Sequence, residues 1–146
     1  MYIDKPVTKT FRFTGSTGES PFEFDLPIDY TYLVGFTFSA GSNSDFQTVQ
    51  QALVGQDKVT FDSQIILEKD TPIRITQATE VCYDCKFWPV HIENLNGRKI
   101  KVKGSLVLTN TTEVVIVLLM TNKKPQFTIS PEAIKYLQEC QEVSEL

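Results

Sequence analysis

Residues 99–120, KIKVKGSLVLTNTTEVVIVLLM, restrict the fold of this chain more than any other segment. Between Ile100 and Leu108 apolar residues alternate with polar ones, and successive side chains of a strand point to opposite faces. We therefore expect a strand with one buried and one solvated face. Residues 114–120 are apolar at every position and rich in β-branched side chains, which predicts a strand covered on both faces. Together, the half-solvated strand and the fully covered strand indicate two layers of sheet, in a sandwich or a barrel, with residues 114–120 between the layers.

The composition is that of a single globular domain. The chain has 146 residues, 41% of them hydrophobic and 22% charged, and its ten Phe and five Tyr suit strands. No stretch reaches the roughly 18–20 apolar residues that span a bilayer, and the start lacks the apolar core of a signal peptide. We therefore expect no membrane span and synthesis in a reducing cytoplasm, in agreement with an odd number of cysteines, three.

Short strand-like segments separated by turn residues follow one another along the chain. Strands are predicted at residues 7–13, 22–26, 31–40, 58–61, 64–68, 71–77 and 90–93. Lys9 interrupts the apolar face of the first, which predicts an edge strand. Gly35 predicts a bulge or a close backbone approach, and Asp62 with Ser63 predicts a tight hairpin. Residues 45–54 fit either a short strand or a helical turn. In the strand at 31–40, one face is expected to carry Tyr32, Val34, Phe36 and Phe38, with Leu33 on the other.

This spacing predicts an all-β fold, a jelly-roll-like β-sandwich of about eight to ten strands with a C-terminal α-helix. Trp88 follows both Cys82 and Cys85, so the cysteine–tryptophan–cysteine order of an immunoglobulin core is absent and the jelly roll is favoured. The order of the strands in the sheets stays open.

The last residues differ from the rest. Residues 1–125 are expected to form the sandwich with an N-terminal arm, and residues 126–146 a docking helix. Ser130 and Pro131 fit a helix start, and Ile134 and Leu137 lie on a narrow apolar stripe. A helix of this kind is marginal alone, so we expect it to pack on the sandwich or on a neighbouring molecule.

The cysteines raise the question of a metal or redox site. Cys82 and Cys85 form a C-x-x-C, with His91 and Cys140 as distant partners. A structural zinc site usually has a second close pair, and a thioredoxin-like motif begins a helix in a βαβ unit. Both features are missing, so we interpret the pair as loop residues at the sheet rim. The sequence predicts no metal site and no cofactor.

Catalytic residues are equally poorly supported. His91, the only histidine, lies in a strand-like segment, where we expect a structural role. Glu23, Asp25 and Asp29 could supply a carboxylate pair, but glycosidases need two carboxyls facing each other across a cleft. An acidic outer strand face is normally solvated, so no catalytic residue is predicted.

One basic patch contains Arg98, Lys99, Lys101 and Lys103. A nucleic-acid surface requires clustered cations that replace counterions, whereas the net charge here is −4. We interpret the patch as a solvated strand face and expect no nucleic-acid partner.

Three aromatic residues, Tyr83, Phe87 and Trp88, lie in or near one irregular segment. They could stack sugars, anchor a protein partner or cap an open end of the sandwich. With Ile134 and Leu137 they form the candidate interface residues.

The order of features resembles the single jelly-roll capsid proteins of viruses and phages. It is most similar to the vertex (penton) and minor capsid proteins of tailless double-jelly-roll phages; head-decoration and fibre-base proteins of tailed phages are the other option. The resemblance covers residues 22–120. The segments that carry it are residues 22–26 leading into 31–38, then Phe87-Trp88-Pro89-Val90, then 99–108 and 114–120.

The resemblance implies a non-enzymatic structural protein of the virion, made in the host cytoplasm. Its partners would be copies of itself and other virion proteins, without a small-molecule substrate. A carbohydrate-binding module that uses Trp88 and Tyr83 is the alternative. A cupin-like enzyme is the third option, but cupins hold metal with several histidines.

Overall fold

The computed structural model describes residues 6–77 and 87–124. In these ranges the chain forms nine strands, one α-helix and one 3₁₀-helix. The strands are β1 (Val7–Gly15), β2 (Gly18–Asp25), β3 (Tyr32–Ala40), β4 (Leu53–Val54), β5 (Val59–Phe61), β6 (Gln64–Leu67), β7 (Trp88–Glu93), β8 (Lys101–Leu108) and β9 (Thr112–Thr121). The helices are α1 (Asn43–Gln50) and the 3₁₀-helix η1 (Ile73–Thr76).

The strands form two antiparallel sheets. One has four strands in the order β1-β9-β3-β7. The other has five, in the order β2-β8-β5-β6, with β4 also paired to β8. Apart from the two-residue β4, the first strand pairs with the last, the second with the next to last, and so on inward. This is an antiparallel ribbon rolled into two sheets, the jelly roll, and it confirms the predicted fold class.

Aromatic side chains join the two sheets. Phe11 of β1 stacks on Phe24 of β2 with ring centroids 4.3 Å apart, and Phe36 of β3 contacts Phe61 of β5 at 5.0 Å. Such pairs add to the free energy gained by burying apolar area. One core cluster accordingly contains residues from both sheets and from α1.

Strand β9 is buried on both faces, as its uninterrupted apolar sequence predicts. Ile116 and Leu118 point into the core between the sheets, while Val115 and Leu119, on the opposite face, are only 5% and 1% exposed. The strand lies within one sheet rather than between two, and α1 contacts both it and β3. The prediction of two covered faces is therefore confirmed, and its location between two sheets was wrong.

Strand β3 changes its buried face at the predicted bulge. The register with both neighbouring strands shifts between Leu33 and Gly35, so Leu33 and Phe36 both reach the core although they are three residues apart. The single extra residue of a bulge reverses the alternation. The assignment of Tyr32 and Val34 to the face of Phe36 was therefore wrong.

Two other segments settle into specific local structures. Residues 45–54, which fitted helix or strand, contain both: α1 is capped by Ser42, which accepts from the Asp45 amide, and β4 follows. Residues 71–77, predicted as a strand, contain the 3₁₀-helix η1 at Ile73–Thr76 instead. Ile73 and Thr76 share its buried side, and Thr76 Oγ1 donates to the Ile73 carbonyl at 2.8 Å. Three-residue spacing matches a 3₁₀-helix.

The β5–β6 hairpin confirms the turn predicted at Asp62 and Ser63. Their φ angles are 55° and 66°, the pair of positive values that type I′ turns require. The predicted N-terminal arm (apart from Pro6 and Val7), the docking helix and the boundary at residue 125 fall outside the described residues.

Replacing Leu118 by Ala tests the core. Leu118 is 1% exposed, so the change should lower the free energy of unfolding by about 2–5 kcal/mol through lost burial and a residual cavity. Leu95→Ala is the matched control, because Leu95 is 71% exposed and surface changes stay within about 0.5 kcal/mol. Urea denaturation measures both, and equal effects would contradict the structure.

Candidate interaction surfaces

The outer face of the five-stranded sheet carries a ladder of opposite charges. In the register of β2 and β8, Glu23 is opposite Lys103 and Asp25 is opposite Lys101. Lys101 Nζ also lies 2.9 Å from Glu23 Oε1, on the diagonal. Cross-strand pairs of opposite charge favour this register. The acidic face of β2 and the basic face of β8 therefore meet on one solvated surface, as expected for strand faces.

The diagonal contact of the ladder shifts the pKa values of Glu23 and Lys101. The hydrogen bond from Lys101, together with its charge, lowers the pKa of Glu23, and the same contact raises the pKa of Lys101. Lys9 similarly lowers the pKa of Asp29 through a 3.1 Å hydrogen bond. These groups are solvent-exposed, so salt screens the interactions. Glu23 and Asp29 each face a lysine, which is not the carboxylate pair across a cleft that a glycosidase needs.

Arg98 joins two turns at one end of the sandwich. Its guanidinium donates to both carboxylate oxygens of Asp62, with Nη1 2.9 Å from Oδ1. This bidentate geometry is the strongest form of an arginine–carboxylate contact. It lowers the pKa of Asp62 and raises that of Arg98. Two members of the basic patch, Arg98 and Lys101, are thus neutralised within the chain.

A groove of about 600 Å³ runs over the outer face between β2, β8 and β5. Its lining includes Pro21, Glu23, Asp57, Thr60, Ile65 and Lys103. Thr60 Oγ1 is buried and has no hydrogen-bond partner among the described residues. The lining of the groove therefore combines acidic side chains, a basic side chain and a hydroxyl group with apolar side chains.

Of the predicted aromatic surface, Phe87 and Trp88 are described. Trp88 begins β7 and is half-buried, packed against the core. Gly35 lies beside them: a Cβ placed there would be 2.8 Å from Phe87 Cβ and 3.4 Å from the Trp88 carbonyl oxygen. This confirms the close backbone approach predicted at Gly35. The structure places Phe87 and Trp88 next to β3, where β7 begins and Trp88 pairs with Phe36.

The other candidate residues have different outcomes. Tyr83, Ile134 and Leu137 lie outside the described residues, as do Cys82, Cys85 and Cys140. His91 lies on the exposed face of β7, between the buried Val90 and Ile92. Within residues 6–77 and 87–124 no three His, Cys, Asp or Glu side chains form a group that could hold a metal ion.

Exposed apolar residues mark one end of the sandwich. Ile28, in the β2–β3 connection, is 64% exposed, and Leu95, in the β7–β8 connection, is 71% exposed. The two connections meet where the Asn94 amide donates to the Thr31 carbonyl at 2.7 Å. β1 begins and β9 ends here, since Val7 pairs with Met120. Sequence inspection missed this surface because it depends on which loops become neighbours.

Comparisons with known proteins identify no relative: no protein-family model, no curated protein and no solved structure matches this chain. In the part of the chain that the structure describes, no helix combines the length and the apolar character needed to cross a bilayer.

Changing Gly35 to Ala tests the contact with Phe87. The added methyl group meets Phe87 Cβ, which cannot move without its backbone, so we expect a loss of about 1–3 kcal/mol in the free energy of unfolding. Gly41→Ala is the control, because the nearest atom there is the flexible tip of Glu113 at 3.3 Å. If both variants denature at the same urea concentration, the close approach at Gly35 is wrong.

The Asp62–Arg98 pair should make stability depend on pH. The folded pKa of Asp62 is lowered, so the pair stabilises the protein above the unfolded pKa, near 4, and this contribution disappears as pH falls through the folded value. Asp62→Asn should therefore destabilise at neutral pH and approach the parent protein in acid. Thermal unfolding across pH measures this.

Arg98→Gln provides the control for that prediction. It removes the same pair from the other side, so the double variant should lose little beyond either single variant. Additive losses would mean that the two side chains do not interact in solution.

Proposed function

We propose that this protein is a non-enzymatic structural component of a virion, acting through contacts with copies of itself and with other virion proteins. The observation that carries the proposal is the strand order. When β4 is left out and the other eight described strands are numbered along the chain, one sheet has the order 1-8-3-6 and the other has the order 2-7-4-5. Jelly rolls of this kind occur in viral capsid proteins, lectins and cupins. The fold alone does not distinguish capsid proteins, lectins and cupins, so the distinction depends on the side chains.

The side chains favour the capsid class over the other two. Cupins bind metal through several histidines, and this chain has one. A sugar-stacking surface needs an aromatic ring with an open face, whereas Trp88 is half-buried against the core. This virion role is compatible with a vertex, a minor capsid or a decoration protein.

The exposed end of the sandwich supports a role in assembly. Ile28 and Leu95 present apolar side chains to solvent where the chain enters β1 and leaves β9. Contacts with another subunit would remove this apolar area from water.

Quantitative mass spectrometry of purified particles tests the virion role. We expect the protein at a constant copy number per particle after extensive washing, with capsid, portal or tail genes beside its gene. Its absence from particles in cells that make it abundantly would overturn the proposal. A glycan array with the purified full chain should show no binding, and specific binding would favour the lectin alternative.

A matched pair of variants tests the exposed end. Leu95→Asp should reduce incorporation into particles about fivefold or more, because it replaces an apolar contact by a charge at a buried interface. Asn96→Asp adds the same charge to the neighbouring, already polar residue and should incorporate normally. Equal incorporation of both variants would exclude Leu95 from the contact.

A further inference from the structure

In residues 6–77 and 87–124, leaving aside the two-residue β4, four strands lie at the ends of the two sheets. Three of them have features that discourage pairing with another strand. β2 contains Pro21, β7 contains Pro89, and β6 has only four residues. Proline lacks the amide that a new ladder needs, and short edges offer few hydrogen bonds. β1 differs, since it has nine residues and no proline. It is the edge best suited to receive another strand.

The free side of β1 offers backbone groups and apolar area together. Within the described residues β1 pairs with β9 alone, so its other side presents unpaired amide and carbonyl groups. Phe11 and Phe13 remain only half-buried, although they stack on Phe24 and Phe22 at 4.3 and 5.2 Å. An added strand would pair the backbone and cover these rings.

Both cations of β1 are paired with carboxylates within the chain, which weakens their repulsion of a second copy. Arg12 Nη1 lies 2.8 Å from Glu113 Oε1, and Lys9 Nζ lies 3.1 Å from Asp29 Oδ2. Positive charge on an edge strand commonly prevents self-association. Here each cation has an acidic partner on a neighbouring element, so two copies of β1 can approach each other.

We propose that β1 pairs antiparallel with β1 of a second copy of this chain, centred on Phe11. This interface stands apart from the virion role and does not depend on it. It joins two four-stranded sheets into one continuous sheet of eight strands. The contact uses the same surface on both copies, so it closes at two subunits.

The register follows from the charges and from the length of the strand. Phe11 is the midpoint of β1, so a two-fold axis there pairs all nine residues. Lys9 then lies opposite the partner's Phe13, and Thr10 lies opposite the partner's Arg12. Centring the axis on Lys9, on Arg12 or between Thr10 and Phe11 would oppose two cations, which disfavours those registers.

Opposite charge changes at Thr10 test the proposal, because Thr10 is exposed and faces the partner's Arg12 twice by symmetry. Sedimentation equilibrium of the full chain should show a dimer that Thr10→Arg weakens about tenfold and Thr10→Glu tightens several-fold. High salt should reduce the difference between the two variants. Gln64→Arg and Gln64→Glu make the same charge changes on the edge strand β6 and should leave the dimer unchanged.

Hydrogen exchange identifies the occupant of the edge. The outward amides of β1 should become protected as the protein concentration rises. Protection already present in dilute monomer would mean that another segment of this chain covers β1, and protection that appears only when another protein is added would indicate a foreign strand. Either result overturns the proposal, as do a monomer at high concentration and a dimer insensitive to Thr10. None of these results bears on whether the protein is found in virions.

Discussion

The structure depends on the position of β9 between β1 and β3. Both sides of its backbone are hydrogen-bonded and both of its faces are buried, so a polar residue at most of its positions would lose water without gaining a partner. That constraint explains its uninterrupted apolar sequence. It also fixes the architecture, because the last of the described strands must insert between the first and the third. The antiparallel ribbon of a jelly roll meets this condition.

The second sheet shows the opposite arrangement. Its inner face contributes to the core through β8, whereas its outer face is a solvated ladder in which the carboxylates of β2 meet the lysines of β8. Such exposed pairs contribute little to stability individually. Their consequence is a surface with both charges interspersed and no broad positive field, in keeping with a net charge of −4.

The edges of the sheets connect the fold to the proposed role. A two-layer sandwich that does not close into a barrel always has free edges, and proteins normally protect them. Here proline or short length protects three edges, and the longest unprotected edge is flanked by half-buried aromatic rings. At one end of the sandwich, separately, Ile28 and Leu95 are exposed. Both surfaces would be covered in the assembly that we propose.

The sequence alone determined where most strands lie and which faces they bury, because alternation over a few residues is a local property that a polar or apolar side chain records directly. The covered strand at 114–120, the half-solvated strand before it and the hairpin at Asp62 were all predictable on this basis. The tertiary structure decided the strand order, the change of face at Gly35, the 3₁₀-helix at residues 73–76 and the pairing of Arg98 with Asp62. Each of these depends on contacts between residues far apart in the chain. Phe87 packs over Gly35, for example, and Thr37 donates a hydrogen bond to the Thr76 carbonyl. Local periodicity does not reveal which distant residues become neighbours.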